Sequence, residues 1–470
     1  MKIKPVILLA AAAALSGCAS FSPDSGFSPI ERAAKERLGK DLRWSRTDAD
    51  QSAIAQRVAE LLAKPLTVDD AVQLALLNNR GLQATFAELG ITEAEMVQAG
   101  TLPNPGFSLA RLKRGGELEI ERGIHFNLAR LVALALPLTA KLEARRFEQT
   151  QGMVLMSVLS LAADTRKAYI HALAAEETVR YMRQVRLAAE ASAELARRME
   201  QVGNFNKLQR AREQAFYADA ALNSARAEQA QRSTRERLTR LLGLWGDATA
   251  FKLPERLPDL PKEALDLPDV ERVALAQRLD VQGAKRAAQQ TASHLGLTRT
   301  TRFINVLELG AVRNSASDLP TQRGWEIAVE LPLFDGGGAR VARAEAVYMQ
   351  AVHRAAEAAI NARSEVREAY TGYRSAYDIA HHHFNEIVPL RKRIADENVL
   401  RYNGMLIGVF ELLADARSQI ASVNAAIESL RDFWLAQADL DMALIGKPGM
   451  NGVASTAGPA MAADAAGAAH

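Results

Sequence analysis

The side chain best placed for chemistry is a thiol. Leu15-Ser16-Gly17-Cys18 holds the single cysteine of 470 residues. Lys2 and Lys4 precede it as a positive n-region, followed by the apolar run Val6 to Leu15, which is too short to span a bilayer. A branched apolar residue, two small residues and Cys form a lipoprotein processing box. Acylation of the Cys18 sulfur is expected, with Cys18 as the mature N-terminus. Two or more acyl chains anchor stably where one is marginal. The alternative is an ordinary secretory signal with a buried free thiol. Ala19 follows the Cys; an Asp there retains lipoproteins of this kind at the inner membrane, so Ala19 favours the outer one.

Other candidate chemistry weakens on inspection. His381-His382-His383 suggests a metal site, but consecutive helical residues point about 100° apart and cannot converge on one ion. A solvated or interhelical role is expected for all three. Gly336-Gly337-Gly338 before a helix suggests a phosphate loop, yet Ala339-Arg340 follows where a nucleotide site needs Lys and Ser/Thr. No nucleophile–base–orienter set and no paired carboxylates in a Gly-rich cleft occur, so no enzyme activity, cofactor or metal site is expected. One cysteine also excludes a disulfide framework and a Cys-rich zinc site. Lys+Arg 58 against Asp+Glu 55 leaves a net charge of +3, without the basic field that nucleic acid binding needs.

The elements that carry these residues follow from punctuation and period. Hydrophobic residues make up 48% and aromatics 6%, and alanine is abundant. That mix suits long helices packed through small side chains. No proline occurs between Pro137 and Pro254, and the middle of that stretch holds one strong breaker, Gly203. Two long antiparallel helices with a turn near Gly203 are predicted. The first, from Arg145 to Val202, would run roughly 87 Å at ~1.5 Å per residue. The second half repeats the plan. Thr165-Arg166-Lys167-Ala168-Tyr169 matches Val366-Arg367-Glu368-Ala369-Tyr370, Gly203 matches Gly404, Leu82-Gln83 matches Val281-Gln282, and Leu136-Pro137-Leu138 matches Leu331-Pro332-Leu333. Anchors in order at an offset near 200 residues argue for tandem duplication.

Val366, Tyr370, Tyr373, Tyr377, Ala380, Phe384 and Ile387 are spaced 4-3-4-3-4-3. Leu413, Ala416, Ile420, Val423, Ile427, Leu430 and Trp434 answer them at 3-4-3-4-3-4. This 3.5-residue period predicts a coiled-coil seam, with a kink at Pro389. Period-2 alternation marks strands at Trp325, Ile327, Val329 and Leu331 and at Ile124, Phe126 and Leu128, with weaker candidates at Phe107-Ser108-Leu109 and Arg302 to Val312. Each copy therefore reads helix, strand, turn-rich loop, strand, long helix, return helix. Four strands with an apolar outer face cannot close a barrel, and an open sheet in lipid leaves backbone groups unpaired. Three chains would supply twelve strands.

Several motifs sit on this plan: Leu66-Thr67-Val68-Asp69-Asp70-Ala71 at its start and Leu102-Pro103-Asn104-Pro105 before the first strand. Leu331-Pro332-Leu333-Phe334-Asp335-Gly336-Gly337 leaves the last strand, and Arg401-Tyr402-Asn403-Gly404 with Glu411-Leu412-Leu413 marks the second helical turn. In this order they resemble the TolC family, outer-membrane channel components of bacterial efflux and secretion systems, over about residues 65 to 446. The resemblance implies a mainly α fold with a small β part. Long antiparallel coiled-coil hairpins in a tandem repeat would carry four strands per chain into a homotrimeric, twelve-stranded transmembrane β-barrel continuous with a periplasmic α-barrel. The expected divisions are a signal peptide (1–17), a lipidated tether with a periplasmic segment (18–64), the first repeat (65–246), a Pro-rich linker (247–268), the second repeat (269–446) and a disordered tail (447–470). Ser22 to Pro29 is the expected flexible tether.

The resemblance further implies passive conduction, with an inner-membrane efflux pump and a periplasmic adaptor protein as partners beside outer-membrane lipid. The tips Val202, Gly203, Asn204, Asn403, Gly404 and Met405 would meet the adaptor. In the family, acidic residues just after the second tip narrow the periplasmic entrance. That role falls first on Glu411; the next acidic position falls on Ala414, with Asp415 one residue later. Pro103-Asn104-Pro105 and the His run point toward metal cations as cargo, while drugs or secreted proteins stay open. The rival function is a periplasmic adaptor lipoprotein, which the two hairpins and the strands before each long helix oppose.

Overall fold

The computed structural model describes residues 21–101, 104–114, 117–127, 137–301, 307–317, 319–329 and 336–447. Cys18, Ala19, the signal peptide, Leu102-Pro103, Leu128, Leu331 to Asp335 and all but the first residue of the expected tail lie outside them.

Four helices open the chain: α1 (Ser28–Leu38), α2 (Asp48–Leu62), α3 (Val68–Asn78) and α4 (Arg80–Gly100). Their starts are written in the caps. The Thr47 side chain accepts from the Asp50 amide while Asp50 reaches back, and Thr67 caps α3 through the Asp70 amide. Strands β1 (Gly106–Arg114) and β2 (Glu117–Asn127) come next, then the hairpin α5 (Pro137–Gln201) and α6 (Lys207–Leu242). The second copy follows as α7 (Val270–Gln277), α8 (Leu279–Thr301), β3 (Leu307–Ala316), β4 (Gln322–Val329), α9 (Gly338–His382), α10 (Val388–Asn403) and α11 (Val409–Ile445). Helix α5 has 65 residues and reaches about 100 Å. No described helix is long and apolar enough to cross a membrane.

The duplication shows in the hydrogen bonds. The amides of Asn79 and Arg278 donate to Ala75 and Ala274, and the side chains of Gln83 and Gln282 donate to the carbonyls of Leu77 and Ala276, each pair 199 residues apart. At the tips the match is closer still. Amides of Val202, Gly203 and Asn204 donate to Arg198, Glu200 and Met199; those of Gly404, Met405 and Leu406 donate to Leu400, Tyr402 and Arg401. The tips therefore correspond at 202 residues, not the 201 that pairs Gly203 with Gly404. The position with positive φ is Gly203 (φ 81°) in one copy and Met405 (φ 57°) in the other.

The four strands form one antiparallel sheet in the order β1-β2-β3-β4, with β1 and β4 at its edges. The main core lies at the base of the long hairpin, where Leu66, Leu74, Phe86, Val158, Leu173 and Leu238 are buried. Leu66 is held from above: the Tyr169 hydroxyl donates to its carbonyl at 2.9 Å.

Some expectations change and others gain detail. Ser22 to Pro29 is folded, not a flexible tether. Phe27 packs on Trp44 and Phe86, Pro29 opens α1, and Glu93 accepts from the Ser22 amide at 2.7 Å. The Pro-rich linker is strapped down as well. Tyr373 accepts from the Leu265 amide at 2.8 Å, Tyr377 donates to the Lys262 carbonyl at 2.8 Å and Trp434 donates to Pro258 at 3.1 Å. The tyrosine stripe thus anchors a segment as well as lining a seam. Trp434 is drawn toward the linker, so the deep residue is Phe433, between Tyr373 and Tyr377 at 5.5 and 5.8 Å. Toward the tip the seam opens, and Phe384 is 39% exposed. Pro389 sits in the first turn of α10, after a π-helical turn at His383–Ile387 that absorbs its missing amide.

Candidate functional site

Two ends of the molecule expose features that packing alone does not explain. At the sheet end, register sorts side chains by face. One face carries the row Phe107, Ile124, Ala311, Trp325, with Leu309 and Ile327 in the neighbouring row. Trp325 is 75% exposed and Phe107 66%. An apolar sheet face this open is unusual in a soluble protein. The opposite face is small and polar. His125 leans over Gly106, Ser108 over Gly123 and Glu326 over Gly310, each filling the space a Cβ would take. Glu119, Glu121 and Glu326 all belong to this polar face, whereas Arg111, Lys113, Arg122, Arg313 and Arg323 belong to the apolar one. By register, the carboxylates of the sheet lie on the polar face, and its Lys and Arg residues lie on the apolar one apart from Arg114, opposite Glu117 at the distal end of β1. The Glu-x-Glu-x-Glu alternation of Glu117 to Glu121 carried this signal in the sequence.

At the other end, the turns 202–206 and 404–408 lie exposed. Val202, Leu208, Leu400, Met405 and Leu406 present apolar side chains there, Met405 at 93% exposure. The two hairpins run side by side. Buried Glu213 of α6 accepts from Arg417 of α11 at 2.9 Å and from the Ser192 hydroxyl at 2.9 Å, and the Arg417 guanidinium stacks 4.3 Å from the Phe216 ring. Both tips extend beyond this bridge. Glu213 and Arg417 escaped the sequence reading because single charges 204 residues apart leave no periodic trace.

Glu411 stands in the first turn of α11, exposed at the helix N-terminus, where the helix dipole favours a carboxylate. Asp415, one turn on, is turned into its own hairpin and accepts from the amide of buried Asn398. The six tip residues are all exposed, Asn403 as the last residue of α10 and the other five in the turns. The histidines diverge: His381 stacks on Tyr377 at 5.8 Å, His382 meets Glu386 at 3.1 Å, and half-buried His383 begins the π-turn.

No family model matches the chain. It is 25% identical over 285 residues to the cobalt-zinc-cadmium resistance protein CzcC of Cupriavidus metallidurans, a match that spans 58% of this chain and 64% of that protein. Among solved structures, the Campylobacter jejuni CmeC outer membrane channel superposes with a TM-score of 0.68 at 17% identity, over 87% of this chain and 91% of CmeC. The outer-membrane channel OprN superposes at 0.68 and 16% identity, over 87% of this chain and 98% of its own. The shared fold is that of outer-membrane channels.

Proposed function

We propose that this chain, which has the fold of the TolC-family outer-membrane channels, is one third of a homotrimeric efflux channel. A single observation carries the proposal: an open four-stranded sheet with an exposed apolar face rides on hairpins about 100 Å long. In lipid, the free edges of β1 and β4 would each cost several kcal/mol per unpaired group unless joined to another strand. Three copies pair these edges into twelve strands, apolar face outward and polar face lining the lumen. The helical hairpins then form the periplasmic tunnel.

Conduction is passive. An inner-membrane pump and a periplasmic adaptor supply energy and cargo, and the apolar tips at 202–206 and 404–408 suit adaptor docking. Anchoring through Cys18 is consistent with the fold, because Ser22 is fixed to Glu93, about 10 Å of helix below the sheet end of α4. Metal cations are the favoured cargo. The CzcC likeness supports this, as do Glu119, Glu121 and Glu326 on the face that would line the lumen. Drugs or secreted proteins are the alternatives. Glu411 is the favoured entrance carboxylate, since Asn398 already engages Asp415.

Extraction from outer membranes with detergent should yield a trimer that conducts in planar bilayers. Glu411→Gln should lower its preference for cations. A monomer that stays in water after the lipid is removed would defeat the channel; unchanged selectivity would remove Glu411 from the entrance.

A further inference from the structure

The apolar face of the sheet is interrupted by a cationic zone. Arg122 is directly opposite Arg313, and Arg313 directly opposite Arg323, in a row whose fourth member is Leu109. This row lies one step beyond the Phe107–Trp325 row, about 7 Å farther from the helices at ~3.4 Å per residue. Arg111 and Lys113 extend the zone toward the distal turns. All five side chains are exposed, and none forms an ion pair or hydrogen bond with a described residue. Like charges on opposed positions of adjacent strands, with Cβ atoms about 5 Å apart, destabilise a sheet. An external anion would relieve the repulsion among three in succession.

Resting on the barrel proposed above, we infer that Arg122, Arg313 and Arg323 form a belt that binds the phosphate groups of outer-leaflet lipids. The apolar rows lie in the acyl region, and Trp325 marks its boundary, where indole rings favour the interface. The next row then stands at headgroup depth. Arginine suits this position because its planar fork grips phosphate oxygens bidentately. A second copy of the same face is a poor occupant, since it would bring five more cations and no described carboxylate. The acids Glu119, Glu121 and Glu326 sit on the opposite face, so they do not repel lipid phosphate at this one.

The test is native mass spectrometry of the detergent-solubilised mature protein titrated with diphosphoryl lipid A and, separately, with phosphatidylcholine. The wild-type trimer should retain lipid A at least about tenfold more tightly than phosphatidylcholine, and more weakly as salt rises. Arg122→Gln/Arg313→Gln/Arg323→Gln should lose most of that preference, and the triple Lys variant should fall between, keeping charge without the fork. Equal binding of the two lipids by wild type would overturn the belt, even where the Gln variant fails to fold. So would a Gln variant that binds lipid A like wild type. Absence of a trimer in the same spectra would instead overturn the channel on which the belt rests.

Discussion

At the residue scale, the two tips show one backbone geometry solved with unequal side chains. Gly203 takes positive φ with no Cβ to clash, whereas Met405 takes it with a full side chain. A left-handed non-glycine residue costs roughly 1–2 kcal/mol, partly offset because glycine loses more entropy on folding. Met405→Gly should therefore stabilise the second tip by up to about 1 kcal/mol. Slower hydrogen exchange at the amides of Met405 and Leu406 would show it, and faster exchange would assign Met405 a compensating contact. His171 gives a second prediction. Burial, then Arg431 and Arg237, push its imidazole below the ordinary 6.5, with Asp432 opposing and Lys167 reinforcing. The folded state thus favours the neutral ring. Stability is unaffected above pH 6.5 and falls as pH drops through the depressed value. His171→Gln should flatten the part of the pH–stability curve that lies below pH 6.5; a curve of unchanged slope would place the acid sensitivity elsewhere.

At the element scale, the hairpins are joined through few polar contacts, of which Glu213–Arg417 is the most enclosed. Glu213→Ala removes the acceptor of two hydrogen bonds and strands Arg417, whose Nε already lacks a partner. A loss of about 2–3 kcal/mol is expected, read as a lower thermal midpoint of the helical signal. Glu213→Met with Arg417→Met should recover much of it, because it removes both charges; no recovery would mean that packing, not charge, sets the loss. Much of this scale was legible in the residues. The proline-free run, the breaker at Gly203 and the period-2 strands gave the element order. Local patterns could not show that Tyr370, Tyr373 and Tyr377 strap down the linker, because the linker's carbonyls and amides bear no side-chain signature. They also could not fix the second tip, where Gly404 looks like the breaker but Met405 bears the left-handed turn. Ser22 to Pro29 has the composition of a tether, yet Phe27 finds a pocket formed by distant Trp44 and Phe86.

At the scale of the whole molecule, the sheet's two faces divide its chemistry. The polar face collects the carboxylates and the apolar face collects the cations other than Arg114, a sorting that a soluble sheet with one buried face would not require. The TolC-like plan was legible because motif order and duplication reinforce each other. Face sorting was not, since it depends on register between strands about 200 residues apart. Residues 307–316 and 117–127 meet side by side only once both copies have folded back to one end.

The unpaired borders of that sheet have a consequence for cells that make a mixture of sound and damaged copies. In the homotrimer proposed above, a ring closes only if every member offers both borders. A lesion that blocks β4 in one allele would spoil each assembly it enters, and intact rings would fall as the cube of the healthy share. Such an allele would act dominantly, whereas one that prevents the protomer from folding at all would be recessive.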